Sequence, residues 1–146
     1  MKLFTIGFSE KSAEEFFSLL EANAVKKIID IRILPSTETD GFAKGEDLAY
    51  LARKMLAIDY EHHYDYAPTL DLLSRAHEGA ISWDGYVVEY HQLIKEREIL
   101  KDLEIEEFDE ACLLCFEHQP ERCHRRLLAE YLQAAYPEVE IVHLVD

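Results

Sequence analysis

Between Ala111 and Arg126 the chain gathers thiols at Cys112, Cys115 and Cys123, carboxylates at Glu117 and Glu121, imidazoles at His118 and His124, and guanidiniums at Arg122, Arg125 and Arg126. Thiolates are nucleophiles and metal ligands, imidazoles and carboxylates move protons, and guanidiniums hold anions. A grouping of this kind marks a place where chemistry can be done. The segment reads as a buried strand over Asp109–Phe116, a polar loop, and a helix whose first turn would suit Pro120. Cys123 and His124 then fall at that helix's start, where unpaired amides and the helix dipole attract anions and lower a thiol's pKa. Three arginines in the same turns are unfavourable by about 0.3–1 kcal/mol each. A bound phosphate or carboxylate would offset them, and so would ion pairs with Glu117, Glu121 or the acidic stretch 104–107.

Spacing separates the cysteines. Cys112 and Cys115 look like a C-x-x-C pair, but three residues along a strand place them on opposite faces and about 10 Å apart. Cys112 is therefore assigned to the core, and Cys115 to the strand's exit on the face it shares with Glu117. Cys115, His118, Cys123 and His124 are ligand types for zinc or iron, yet their spacing matches no familiar structural zinc motif, and no metal is expected. Arg122 follows Cys115 one position too late for a phosphatase loop, and Glu117 would repel a phosphate there. The chain has no Walker loop, no G-x-G-x-x-G and no G-x-S-x-G elbow, so no cofactor is expected.

The elements that would carry these residues alternate. Lys2–Ile6 is a short β-prone run closed by Gly7. Ser12 and Glu15 fit a capping box, which predicts a helix with Phe16, Leu19 and Leu20 inward and Asn23 as a left-handed cap. Lys26–Arg32 reads as a buried strand, so strand, helix and strand make a right-handed parallel unit. A polar loop over Leu34–Gly45 leads to a helix over Glu46–Ala57 with Leu48, Leu51, Met55 and Leu56 inward. A strand over Ile58–His62, an irregular stretch over Tyr64–Thr69 and an amphipathic helix over Trp83–Leu100 follow. After the Asp109–Phe116 strand, a helix to about Ala135 and a strand over Val139–Leu144 close the chain. The tyrosines and Trp83 of the middle region read as core, with a stacking wall as the alternative.

The alternation predicts a single domain over residues 1–146 with an α/β fold: three layers, α/β/α, around a mostly parallel sheet of about five strands. In such sheets ligands bind at the carboxyl ends of the strands. Three strand ends bring Gly7 and Ser9, Asp30 and Arg32, and Cys115 and Glu117 to that edge. Asp30 and Arg32, two apart, share a face and could equally form a structural ion pair.

At 146 residues and 49% hydrophobic the chain can bury a core without staples. An odd number of cysteines and no apolar leader point to a reducing, cytoplasmic location. No window approaches the roughly 20 apolar residues of a membrane span, so no membrane partner is expected. Thirty acidic against 15 basic residues give a net charge of −15, which disfavours nonspecific nucleic-acid binding. The arginine cluster in this acidic background points instead to a small anionic molecule as partner.

Thr5-Ile6-Gly7-Phe8-Ser9, Asp30-Ile31-Arg32 with Pro35-Ser36, and Cys115-Phe116-Glu117 followed by Pro120 and Cys123-His124-Arg125 resemble the domain of unknown function 488 family over nearly the whole chain. The resemblance implies an α/β fold and a shared site at Gly7, Ser9, Asp30, Arg32, Cys115, Glu117, Cys123, His124 and Arg125, and brings no settled reaction. Many relatives have histidine where this chain has Phe8, and a Leu-Gly-Gly stretch where it has Ala67-Pro68-Thr69-Leu70. Two functional readings follow. In one, an enzyme acts on a small phosphorylated or nucleotide-like molecule. Arg32 and Arg125 hold the anion, with Gly7 and Ser9 beside it, and Asp30, Glu117, Cys115, Cys123 and His124 supply the chemistry. In the other, a binding or sensing module holds an anion or metal in the same pocket and performs no reaction. A third possibility is that Cys115 and Cys123 only pack between sheet and helix.

Overall fold

The computed structural model describes residues 1–145. Five strands, β1 (Lys2–Gly7), β2 (Lys27–Asp30), β3 (Asp59–His62), β4 (Ala111–Cys115) and β5 (Glu140–Leu144), form one sheet in the order β3-β2-β4-β1-β5. Every pairing is parallel. Parallel neighbours need crossovers, supplied by α1 (Ala13–Ala22), α2 (Gly45–Leu56), α3 (Leu70–His77), α4 (Trp83–Glu96) and α5 (His124–Ala135).

Strand alternation sorts the core into two layers. Phe4, Ile6, Ile28, Cys112 and Leu114 face α1 and α2, meeting Phe16, Phe17, Leu20, Leu48 and Ala52. Leu3, Ile29, Leu113 and Cys115 face α3, α4 and α5, meeting Leu72, Tyr86, Tyr90, Ile94, Leu127, Leu128 and Leu132. The result is the three-layer α/β/α arrangement that the sequence predicts. Among the described residues no helix is long and apolar enough to cross a membrane.

Local differences from the sequence reading have physical causes. The Ser12–Glu15 capping box opens α1 as expected, with Glu15 N–H donating to Ser12 Oγ at 3.1 Å. Its left-handed residue is Ala24 (φ 52°) rather than Asn23 (φ −101°). Ala24 N–H donates to the Glu21 carbonyl and Val25 N–H to that of Leu20, a Schellman closure one residue later. Met55 is 54% exposed rather than inward, because α2 buries the Leu48–Ala52 row instead. Helix α3 occupies a stretch to which the sequence reading assigns no element; Thr69 caps it, accepting from Leu72 N–H at 3.1 Å. The long helix α4 stops at Glu96, short of Leu100. Helix α5 starts at His124, not near Pro120, whose carbonyl accepts from Cys123 N–H in a preceding turn; Cys123 is the residue before the helix.

Strand order places the site. The crossover after β1 runs through α1 on one face, while that after β4 runs through α5 on the other. The two strands are adjacent, with Gly7 in register with Cys115, so their carboxyl ends flank a point where the chain turns to opposite sides.

Candidate functional site

A cleft of about 450 Å³ opens at this edge, and its lining includes Arg32, Cys115, Glu117, Arg122, Cys123 and His124. Phe8, Trp83 and Tyr86 contribute apolar wall. Trp83 stacks on Tyr86 with ring centroids 5.2 Å apart and both line the cleft, whereas Tyr90 on the same helix is wholly in the core.

Asp30 and Arg32 form the ion pair that their spacing allows. Arg32 Nε donates to Asp30 Oδ1 at 2.9 Å and Nη2 to Oδ2 at 2.7 Å; Tyr60 O–H donates to Oδ2 at 2.5 Å. Nη2 also donates to the Ala43 carbonyl at 2.7 Å, and the guanidinium lies over the Phe8 ring, 5.1 Å from its centroid. With no exposed surface and every contact spent on Arg32 and Tyr60, Asp30 orients the guanidinium and does not face the cleft. Burial and the Asp30 charge, in that order, hold the Tyr60 hydroxyl well above its usual pKa, so it remains a donor. The third guanidinium nitrogen, Nη1, is buried and 3.5 Å from Asp40 Oδ2, and it has no hydrogen-bond partner among the described residues. A buried N–H without an acceptor costs about 1–3 kcal/mol, and Arg32 lines the cleft.

At the end of β4 the sulfurs of Cys115 and Cys123 are in bonding contact as a disulfide. The sequence reading treated them as separate candidates; the turn at Pro120 brings the second onto the first. His124 Nδ1 lies 3.9 Å from Cys115 Sγ, and Nε2 is 2.8 Å from the Ile31 carbonyl oxygen. A carbonyl accepts only, so Nε2 carries the proton and Nδ1 presents a lone pair to the sulfur. Burial, joined by repulsion from Arg125, pushes the His124 pKa down to about 4, so the ring is neutral at neutral pH.

Gly7, Ser9 and Arg125 differ from their expected part in ligand binding, for none of them lines the cleft. Arg125 is fully buried. Its Nε donates to Thr5 Oγ1 at 3.3 Å, Nη1 to the Glu117 carbonyl, and Nη2 to the His118 carbonyl at 3.2 Å. Burial lowers its pKa to about 10, which leaves it charged at neutral pH. Gly7 is the floor on which this loop rests, because any Cβ there would run into the Glu117 carbonyl. Ser9 ties the loop down through its backbone, its N–H donating to the Phe116 carbonyl at 3.1 Å and its carbonyl accepting from His118 Nδ1 at 2.9 Å. These residues shape the loop that presents Glu117, which is exposed at the cleft.

Asp40, Tyr60 and Arg122 belong to the site without having been assigned to it from sequence. Arg122 was visible in the arginine cluster, whereas Asp40 lies in a polar loop whose pattern gives no sign of an Arg32 contact.

Fold and cleft together define an α/β protein with a doubly covered parallel sheet and a ligand-sized hollow beside its central strand. The family model described as Domain of unknown function DUF488 matches residues 12–132, and the chain belongs to that family. No curated protein and no solved structure matches the chain.

Proposed function

We propose that the protein is an enzyme acting on a small anionic molecule, of phosphorylated or nucleotide-like class, bound in the cleft at the carboxyl edge of the sheet. The observation that carries this reading is Arg32 Nη1, a buried guanidinium N–H on a residue that lines the cleft, with the Asp40 carboxylate 3.5 Å away but no hydrogen-bond acceptor among the described residues. An anionic oxygen would supply one, and Arg122, exposed on the same cleft, would add a second cation. Asp30 is then a positioning residue, holding the Arg32 fork so that one nitrogen is left over. Phe8, Trp83 and Tyr86 cover the apolar part of the bound molecule. Glu117 exchanges protons with it, and its reacting atom meets the cluster of Cys115, Cys123 and His124.

Calorimetric titration with inorganic phosphate and nucleoside monophosphates tests the binding. Arg122→Ala is expected to weaken affinity by about tenfold, the loss of one charge-assisted hydrogen bond at a partly wet site. Glu117→Gln is expected to leave affinity near normal and to lower turnover by about 10²–10⁴-fold, read as depletion of a component from a metabolite mixture by mass spectrometry. No anion binding, or binding indifferent to Arg122→Ala, overturns the cleft assignment. Binding without turnover of any metabolite overturns the catalytic part.

A further inference from the structure

We propose that, once the two cysteines are reduced, Cys115, Cys123 and His124 form a binding site for a thiophilic divalent cation of the zinc class. Their two sulfurs and one imidazole nitrogen lie within 4.8 Å of one another, and all three residues are buried. From sequence these residues, with His118, are ligand types at no familiar zinc spacing, and adjacent Cys123 and His124 would diverge by about 100° if both were helical. Cys123 escapes that rule. It precedes α5 with extended backbone (φ −135°, ψ 141°), so it and the first helical residue both turn toward Cys115.

The imidazole is already set up as a ligand. Nε2–H donates to the Ile31 carbonyl, and the Nδ1 lone pair faces the Cys115 sulfur at 3.9 Å. Metal-bound histidines are held in this manner, with the second ring nitrogen tied to a carbonyl or carboxylate. A tetrahedral zinc ion with Zn–S of about 2.3 Å and Zn–N of about 2.0–2.1 Å sets S···N near about 3.6 Å and S···S near about 3.8 Å, so His124 is already close to its spacing from Cys115, while the two sulfurs, once reduced, must part by more than about an ångström from bonding contact. The Cα atoms of Cys115 and Cys123 stand 7.6 Å apart. That exceeds the roughly 4.4–6.8 Å usual for a disulfide, and an ion between the sulfurs accommodates the wider spacing.

Loading starts with reduction. A phosphine breaks the S–S bond by giving two electrons to the sulfurs; it leaves as its oxide, taking oxygen from water, and the water's two protons go to the thiols. The divalent ion then displaces both thiol protons, forming two metal–sulfur bonds and releasing two H⁺. All three ligands line the cleft. Three protein ligands with a fourth position open are the arrangement of a catalytic rather than a structural zinc. The inference rests on the proposed function only for what occupies that fourth position.

The test is titration of the phosphine-reduced protein with Co²⁺ under anaerobic conditions, with the phosphine removed beforehand and no substrate present. One ion per chain is expected, with sulfur-to-cobalt charge transfer in the near ultraviolet, intense tetrahedral d–d bands, and displacement by Zn²⁺. Cys123→Ser and His124→Gln should each weaken binding by roughly a hundredfold or more, above the cost of losing an outer-shell partner. Cys112→Ala, on the opposite face of the sheet, should change nothing. Wild-type protein that shows no sulfur-to-cobalt band overturns the inference, as does a site that survives both Cys123→Ser and His124→Gln. Phosphate binding without cobalt binding refutes the metal site alone, whereas cobalt binding without phosphate binding refutes the proposed function alone.

Discussion

Gly7→Ala should be among the most damaging single-methyl changes in this protein. The reason is space and not dihedral freedom, because the left-handed glycines are Gly41 and Gly79. A methyl at Gly7 would overlap the Glu117 carbonyl oxygen, lie 2.5 Å from its carbon, and lie 2.7 Å from Arg125 Nη1. Two of these atoms are backbone, so no side-chain rotation relieves the collision. Relief requires the loop after β4 to lift, which breaks the Arg125 Nη1 bond to Glu117 and strains Ser9 N–H on Phe116. Overpacking costs about 1–3 kcal/mol and a lost bond to a buried charge about 1.5–3 kcal/mol, so a total of about 3–5 kcal/mol is expected. Against a domain stability of about 5–15 kcal/mol, that is a large fraction. Urea unfolding followed by circular dichroism measures it, with Gly79→Ala as the reference. Nothing lies within 4 Å of a Cβ at Gly79, so only the left-handed backbone is penalised, by about 1–2 kcal/mol. Equal losses at the two glycines, or a Gly7→Ala cost below about 1 kcal/mol, would show that the loop does not rest on Gly7.

Asp30→Asn removes the nearer of the two buried carboxylates paired with Arg32, leaving Asp40 at 3.5 Å, and should cost about 3 kcal/mol, whereas Tyr60→Phe, which removes one donor from the same carboxylate, should cost about 1 kcal/mol; equal costs in urea unfolding would contradict the ion-pair reading. In the absence of added metal, His124 should make the protein acid-sensitive. Its folded pKa of about 4 lies below the unfolded value near 6.5. Between those values the unfolded chain binds a proton that the folded one refuses, so stability is complete above pH 6.5 and falls by about 3 kcal/mol toward pH 4. His124→Gln should lack that slope, and parallel stability–pH curves for the two proteins would refute the assignment. Under reducing conditions Cys112, fully buried with its thiol pKa raised well above the usual range by burial, should be alkylated only on unfolding, after Cys115 and Cys123 at the cleft; peptide mapping that finds Cys112 labelled first would count against the packing described.

Much of the fold was legible because period and punctuation are local. Apolar runs such as Lys2–Gly7 and Ala111–Cys115, and caps such as Ser12, announce themselves within a few residues. Strand order is a property of the whole sheet, and nothing in Lys27–Asp30 shows that Ala111–Cys115 will lie between it and Lys2–Gly7. Helix α3 escaped because it buries only Leu72, too little for a periodic signal. The site was legible as a set of residue types at strand ends, and the rest depended on which way each group turned. Arg32, Glu117, Cys115, Cys123 and His124 line one cleft, while Gly7, Ser9, Asp30 and Arg125 hold those groups in place. Sequence could not separate the two sets, because the distinction lies in contacts over long separations, such as Arg125 on Thr5 and His124 on Ile31.

The two buried guanidiniums do unlike work, and the difference bears on how an anion would be drawn in. Arg32 has its charge opposed by Asp30, so at a distance it contributes little field; its value to a ligand is the direction of one hydrogen bond. Arg125 is hydrogen-bonded only to neutral acceptors, the Thr5 hydroxyl and the carbonyls of Glu117 and His118, and the carboxylates of Glu117 and Glu121 oppose its charge only from a distance. Arg125 belongs to the first turn of α5, directly after Cys123 and His124, where the helix dipole has the same sign. The depressed His124 pKa reports the field, since Arg125 is one of its causes after burial. A field that disfavours imidazolium favours any anion in the same place, whether a thiolate of Cys115 or Cys123 or a bound oxyanion. In a molecule of net charge −15, attraction would therefore come from Arg122 at the cleft and from Arg125, which never touches the ligand, and orientation from Arg32, which contributes little attraction.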